Sequence, residues 1–180
     1  MMKIETERLV IRHFEDKDAP GLLDYLSNPR VNCFMDEKLN SPEEAIIEAK
    51  RRSKNETQFA VCLKETDEII GDLFADNSNT EDCDTYAVGW HFNEKYEGKG
   101  YARESARAFF SFLFNTKNAR RIFAYVEDYN VRSQKLCQSL FMRQEACFME
   151  FVCFRSTLSG EKEKYEDTYV YAILKKEWDQ

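Results

Sequence analysis

Ala87-Val88-Gly89-Trp90-His91-Phe92-Asn93-Glu94-Lys95-Tyr96-Glu97-Gly98-Lys99-Gly100-Tyr101-Ala102-Arg103-Glu104 is the stretch on which the fold turns. Its left part belongs to a strand predicted over residues 85–92. Tyr86, Val88, Trp90 and Phe92 face one way, and Ala87, Gly89 and His91 the other. Its right part opens a helix predicted over residues 101–115, where Ala102, Ala106, Phe109, Phe110 and Leu113 follow the 3.6-residue period. Between them lies a Gly-x-Gly turn. Glycines let backbone N–H groups approach a ligand with no Cβ in the way. The first helical turn adds unpaired N–H donors and the positive end of the dipole. Together these make an anion site suited to a phosphate or pyrophosphate. A glycine turn taken alone can also be a simple tight connection.

Downstream, residues 121–127 read as a strand, 130–140 as a helix, and 143–154 and 166–175 as two long strands around a polar loop. Upstream, residues 8–14 read as a first strand. Residues 16–27 read as a helix with Ala19, Leu22, Leu23 and Leu26 on one face. Ser41-Pro42-Glu43-Glu44 is a helix start, with Ser at the N-cap, Pro at N1 and Glu at N3. That helix is expected to bury Ala45, Ile46 and Ala49. Residues 57–63 alternate, with Phe59, Val61 and Leu63 on one side, and pair as a hairpin with 69–75 across a polar turn. The order is that of an α/β (α+β) fold with a mostly antiparallel sheet and a single β-α-β crossover in its second half. No repeat or linker interrupts it, so residues 1–180 are read as one domain.

The 180 residues are 43% apolar and 14% aromatic, enough for a proper core, and carry a net charge of −7. An acidic chain lacks the basic footprint that nucleic-acid phosphate demands, so no nucleic-acid partner is expected. No run approaches the roughly 18 apolar residues of a membrane span, and residues 1–8 carry no apolar signal region. Cys33, Cys62, Cys83, Cys137, Cys147 and Cys153 contain no C-x-x-C pair, and with only two histidines they suggest no metal cage. They are read as reduced thiols of a cytoplasmic protein.

Two nucleotide loops can be compared with the glycine turn. A Walker loop needs G-x-x-x-x-G-K-[ST], which is absent. A dinucleotide loop needs a third glycine where Arg103 stands and a parallel sheet near the chain start. Glu127 does end the following strand, which keeps a nicotinamide-linked oxidoreductase open as a reading.

The whole segment resembles the coenzyme-A signature of the GNAT superfamily of N-acetyltransferases. The family pattern [QR]-x-x-G-x-[GA] corresponds to Glu97-Gly98-Lys99-Gly100-Tyr101-Ala102. A second family element, N-x-x-S/A-x-x-L, corresponds to Asn130-Val131-Arg132-Ser133-Gln134-Lys135-Leu136 at the expected spacing. The branch that acetylates ribosomal-protein N-termini looks most similar. It shares Thr6-Glu7-Arg8-Leu9, Gly100-Tyr101-Ala102 with Glu104, and a tail like Asp167-Thr168-Tyr169-Val170-Tyr171-Ala172-Ile173-Leu174. The resemblance implies a splayed central sheet with helices on both faces, acetyl-CoA as co-substrate and no metal. It implies an amine acceptor, a protein N-terminus among the candidates, and direct transfer in a ternary complex.

Residue roles follow from the same resemblance. Gly98, Lys99, Gly100, Tyr101, Ala102 and Arg103 would hold the pyrophosphate through backbone amides. Val88 and Trp90 lie on the strand that would pair with the pantetheine arm, and Asn130 would bond that arm. Ser133 would meet the sulfur and protonate the departing thiolate. Cys137, standing where many members carry a tyrosine acid, is the substitute for it. Arg132 and Lys135 are cations near the phosphates. Glu150 is the first candidate base, with Glu94, Asp84 and His91 as further ones. Glu97 departs from the pattern and is expected to face solvent. Phe141 stands where a glycine is common and is expected to change local packing. These departures leave a non-catalytic acetyl-CoA sensor as the alternative function. Phe148, Phe151 and Phe154 suggest an interface with a second copy.

Overall fold

The computed structural model describes residues 2–77, 84–153 and 165–178. Strand β1, Lys3–Glu5, precedes the first strand expected from sequence; that strand, β2, is the shorter Leu9–Arg12. Asp16–Asp18 forms a 3-10 turn leading into helix α1, Ala19–Leu26. A second 3-10 segment, Asn32–Glu37, links it to helix α2, Pro42–Arg52. Ser41 caps α2 by accepting a hydrogen bond from the Glu44 N–H, as its sequence requires. Ile46 corrects the expected helix face. Ala45, Ala49 and Arg52 turn inward at i, i+4 and i+7, leaving Ile46 46% exposed.

Strands β3 (Gln58–Leu63), β4 (Ile69–Asp76) and β5 (Thr85–Phe92) continue the antiparallel run. Helix α3, Tyr101–Asn115, crosses to strand β6, Arg121–Glu127, which is parallel to β5. Helix α4 (Val131–Ser139), strands β7 (Arg143–Cys153) and β8 (Tyr165–Leu174), and helix α5 (Lys175–Trp178) follow. Among the described residues the strands form one eight-stranded sheet, ordered β1-β2-β3-β4-β5-β6-β8-β7.

The alternation of β3 divides the core. Phe59 and Val61 join α3 in one cluster; Ala60 and Cys62 join α1 and α2 in the other. The α3 stripe buries Ala106, Phe109, Phe110, Leu113 and Phe114 almost completely. Each large side chain there contributes about 1.5–3 kcal/mol of burial. This fixes the start of α3 firmly against the sheet. β5 and β6 stay paired only at Thr85 with Arg121, Tyr86 with Ile122 and Ala87 with Phe123. Past Ala87 the strands separate, and that split is the splay the resemblance implied.

Phe141 takes up its departure without disturbing the sheet. It follows α4 at φ 62°, a conformation suited to glycine, and its ring is 69% exposed. On the outer β7–β8 hairpin, the Phe148 and Phe151 rings lie 5.0 Å apart, and both approach Tyr125. Phe154 and Cys83 lie outside the described residues.

Candidate active site

The split between β5 and β6 opens into a cleft of about 960 Å3. It runs from the glycine turn to the Asn32–Glu37 segment. At the α3 end, Gly98 and Gly100 stand at φ 74° and 80°. A side chain at Gly98 would meet nothing within 4 Å, and one at Gly100 only the Arg8 guanidinium at 3.6 Å. The glycines are therefore required by their left-handed backbone, not by crowding from the protein. They turn the chain so that α3 starts with free N–H groups beside open space, which suits a pyrophosphate.

Thr6 and Arg8 hold this turn in place. The Thr6 hydroxyl donates to Glu104 at 2.6 Å, and Arg8 donates to Glu104 through its backbone N–H and guanidinium. Arg8 also donates to the Lys99 carbonyl at 3.0 Å and covers the Tyr101 ring at 4.6 Å. The similarity at Thr6-Glu7-Arg8-Leu9 and Glu104 thus has a structural cause: the turn between β1 and β2 is stapled to the first turn of α3. Lys99 does not line the cleft, and its ammonium lies over the Tyr96 ring. Gly98, Gly100, Tyr101, Ala102 and Arg103 do line it.

Midway, the Trp90 indole N–H donates to the Ser133 hydroxyl oxygen at 3.0 Å, bridging β5 and α4 across the split. Asn130 caps α4 by accepting from the Ser133 N–H at 3.3 Å, leaving its side-chain NH2 available to a ligand. A hydroxyl that accepts an indole N–H becomes a better donor through its own proton. Val88 is buried and meets the cleft from the strand backbone. Glu97 does not simply face solvent. Its carboxylate takes Arg132 at 2.6 Å and Arg30 at 3.2 Å, tying both to the mouth of the cleft.

Cys137 and Glu150 fall away from this geometry. Cys137 is fully buried with the α3 cluster, outside the cleft, and burial pushes its thiol pKa up to about 12. Glu150 sits in an irregular part of edge strand β7 at φ 49°, with its N–H on Asp167 and its residue exposed. Asp84 pairs with Arg120 at 3.1 Å, and Glu94 with Arg30 at 3.4 Å. None of these three acids lines the cleft.

The other end was not visible in the motifs. Arg52 is fully buried, with Glu37 at 2.5 Å, Glu48 at 2.6 Å and Asp72 at 3.2 Å. Its Nη1 faces Asp72 off the line of a hydrogen bond, while the Tyr25 hydroxyl donates to Asp72 at 2.7 Å. Glu48 also takes Arg51 at 2.6 Å, so three carboxylates meet two guanidiniums and one negative charge is in excess. Glu37 lines the cleft, and burial raises its pKa. Cys33 also lines it, its thiol pushed up to about 12 by burial and then by Glu127. The signal in the sequence was Asp72, a lone acid within Ile69-Ile70-Gly71-Asp72-Leu73-Phe74, which calls for a buried partner. Among the described residues no His, Cys, Asp or Glu cluster could hold a metal, and no helix is long and apolar enough to cross a membrane.

Comparison with known proteins places this geometry. The acetyltransferase (GNAT) domain model matches residues 8–143. The N-acetyltransferase YnaD of Bacillus subtilis (strain 168), itself uncharacterized, is 33% identical over 99% of this chain and 100% of its own. An acetyltransferase of the GNAT family from Bacillus anthracis superimposes with a TM-score of 0.85 at 30% identity, covering 98% and 100% of the two chains. The ribosomal-protein-S5-alanine acetyltransferase from Vibrio fischeri gives a TM-score of 0.73 at 20% identity, over 99% of each chain, a likeness of fold.

Proposed function

This chain belongs to the GNAT acetyltransferase family and is an acetyl-CoA-dependent N-acetyltransferase; from that premise we propose that it moves the acetyl group directly to a primary amine. The amine is a protein N-terminus or a small amine, and both substrates occupy the cleft together. The observation that carries this reading is the continuity of the cleft. Left-handed glycines line one end and the acidic Glu37 end receives a cation, with the Trp90–Ser133 bond between them. The ribosomal-protein branch is supported by Thr6, Arg8 and Glu104, whose contacts give the shared residues a reason.

The protein's own groups divide the work. Backbone amides at the start of α3 anchor the phosphates, with Asn130 on the arm between them and the thioester. Ser133 donates its proton to the sulfur as charge develops there, while Trp90 fixes the hydroxyl oxygen. Cys33 does not suit an acetyl-cysteine route, because a thiol held near 12 yields little thiolate at neutral pH.

The test is turnover over a panel of N-terminal peptides and small amines, read as free thiol and acetylated mass. Intersecting initial-rate lines support the ternary complex; parallel lines would sink it. Ser133→Ala should lower kcat roughly tenfold to a hundredfold with little change in acetyl-CoA affinity, since its bond matters chiefly in the transition state. An unchanged kcat where chemistry limits the rate would remove Ser133 from this role.

A further inference from the structure

We propose that His91 is the general base that receives the proton of the acceptor amine, an inference that rests on reading the cleft as an acetyl-transfer site. His91 lies on β5, the strand that forms one wall of the split, and it lines the cleft. Its ring is fixed from two sides. Phe34 stacks on it at 4.2 Å with the planes 7° apart, and Tyr25 meets it edge-on at 5.0 Å. Nδ1 is buried with no hydrogen-bond partner among the described residues, which leaves Nε2 to meet a bound amine.

The other acids of the cleft are engaged or displaced. Glu97 holds Arg30 and Arg132, and Glu37 holds Arg52. Glu127, on the opposite wall at the end of β6, and Asp76, which closes β4, are the remaining competitors.

The charged groups packed around His91 come from each neighbouring element. Asp72 of β4 is its register partner; Arg52 closes α2, and Arg30 and Glu37 flank the Phe34 segment, while Tyr25 of α1 is neutral. Burial lowers the imidazole pKa below its ordinary 6.5, with Asp72 opposing and Arg52 and Arg30 assisting. His91 is therefore neutral at pH 7, as a base must be.

The step balances without a further reactant. The amine nitrogen bonds to the acetyl carbonyl carbon, and its N–H turns acidic as nitrogen gains positive charge. Nε2 takes that proton, with Nδ1 keeping the ring's resident proton in the field of Asp72. The C–S bond breaks, its electron pair stays on sulfur, and the thiolate takes a proton from Ser133 or water. Solvent returns a proton to Ser133 and carries off the one held by His91, so the sum is amine plus thioester giving amide plus thiol. A base of low pKa suffices because the proton is lost as the bond forms.

The test uses the full chain with an amine that the wild type acetylates. In the wild type, kcat should fall as pH drops through the imidazole pKa, below 6.5. His91→Gln should lower kcat about a hundredfold and lose that acid limb, while binding acetyl-CoA as the wild type does. His91→Gly should regain rate in proportion to added free-base imidazole, a response that a merely structural ring would not give. A His91→Gln enzyme within about threefold of wild-type kcat, its acid limb intact, overturns the proposal, as does loss of the limb in Glu127→Gln or Asp76→Asn instead. A wild type that acetylates no amine overturns the acetyl-transfer reading and this inference together.

Discussion

At the α3 end of the cleft, the groups that would face a ligand are backbone amides on near neighbours, Gly98, Gly100 and Tyr101 to Arg103. At the His91 end they are side chains brought from α1, the Asn32–Glu37 segment, α2, β4 and β5. The first arrangement is local. Two left-handed glycines and a helix start make it, and Thr6 and Arg8 only hold it in place. The second exists only after the chain has folded, around a guanidinium that has left water completely. A local device tolerates change elsewhere but fails at one backbone torsion. An assembled one survives backbone variation but depends on every charge it encloses.

The largest expected effect lies at the assembled end. Arg52→Leu removes the cation that Glu37, Glu48 and Asp72 share: Glu37 loses its guanidinium and buried Asp72 keeps only the Tyr25 hydroxyl, while Glu48 retains Arg51. Breaking a buried ion cluster in this way costs about 3–5 kcal/mol. In a chain of this size that lowers Tm by roughly 10 °C. Chemical denaturation with a two-state fit measures it. A loss below about 1 kcal/mol would mean that solvent already relieves these acids, and the contrast between the two ends would fail.

Gly100→Val strikes the local end and should do less to the fold but more to the ligand. Valine is disfavoured at φ 80°, so the turn must change or carry strain of about 1–3 kcal/mol. Space within the protein is not the obstacle, since the nearest atom to the new Cβ is the Arg8 guanidinium at 3.6 Å. Calorimetric titration should show CoA affinity at least about tenfold weaker, with the far-ultraviolet circular dichroism of the wild type. Unchanged affinity would mean that the phosphates do not rest on this turn.

The same difference explains what the sequence disclosed. The strand at residues 85–92, the glycine turn and the helix at 101–115 are written in consecutive residues, and each forms where its pattern placed it. The short strand Lys3–Glu5 was missed because its alternation rests on the single apolar residue Ile4 between two exposed charges, too short a run to read as a strand. Ile46 misled because an apolar residue on an amphipathic helix invites burial, whereas Arg52 holds the inner position one turn beyond Ala49. An arginine at a helix end ordinarily reads as solvated. Its burial was decided by Glu37 and Asp72, 15 and 20 residues away on either side. Ser133 and Asn130 were legible as a motif, but the Trp90 bond that orients Ser133 crosses between elements.

The smallest expected effect joins the two ends. Glu97 stands beside the glycine turn, yet its carboxylate holds Arg132 of α4 and Arg30, which leads into the Asn32–Glu37 segment. A phosphate entering the cleft competes for the same two cations and must also approach the Glu97 charge. Glu97→Gln restores the residue type of the family pattern, removes that repulsion and frees Arg132, while Arg30 keeps Glu94. These pairs are largely exposed, so each contributes modestly and the gain is limited by screening. CoA affinity should rise about twofold to fivefold at low salt, and the gain should fade as salt approaches 0.5 M. Desulfo-CoA should respond equally, because the effect belongs to the phosphate end. Weaker CoA binding in Glu97→Gln would show instead that Glu97 serves to aim Arg132 at the ligand. In that case the two ends are coupled through the ion pair, and the local device is less independent than its sequence suggests.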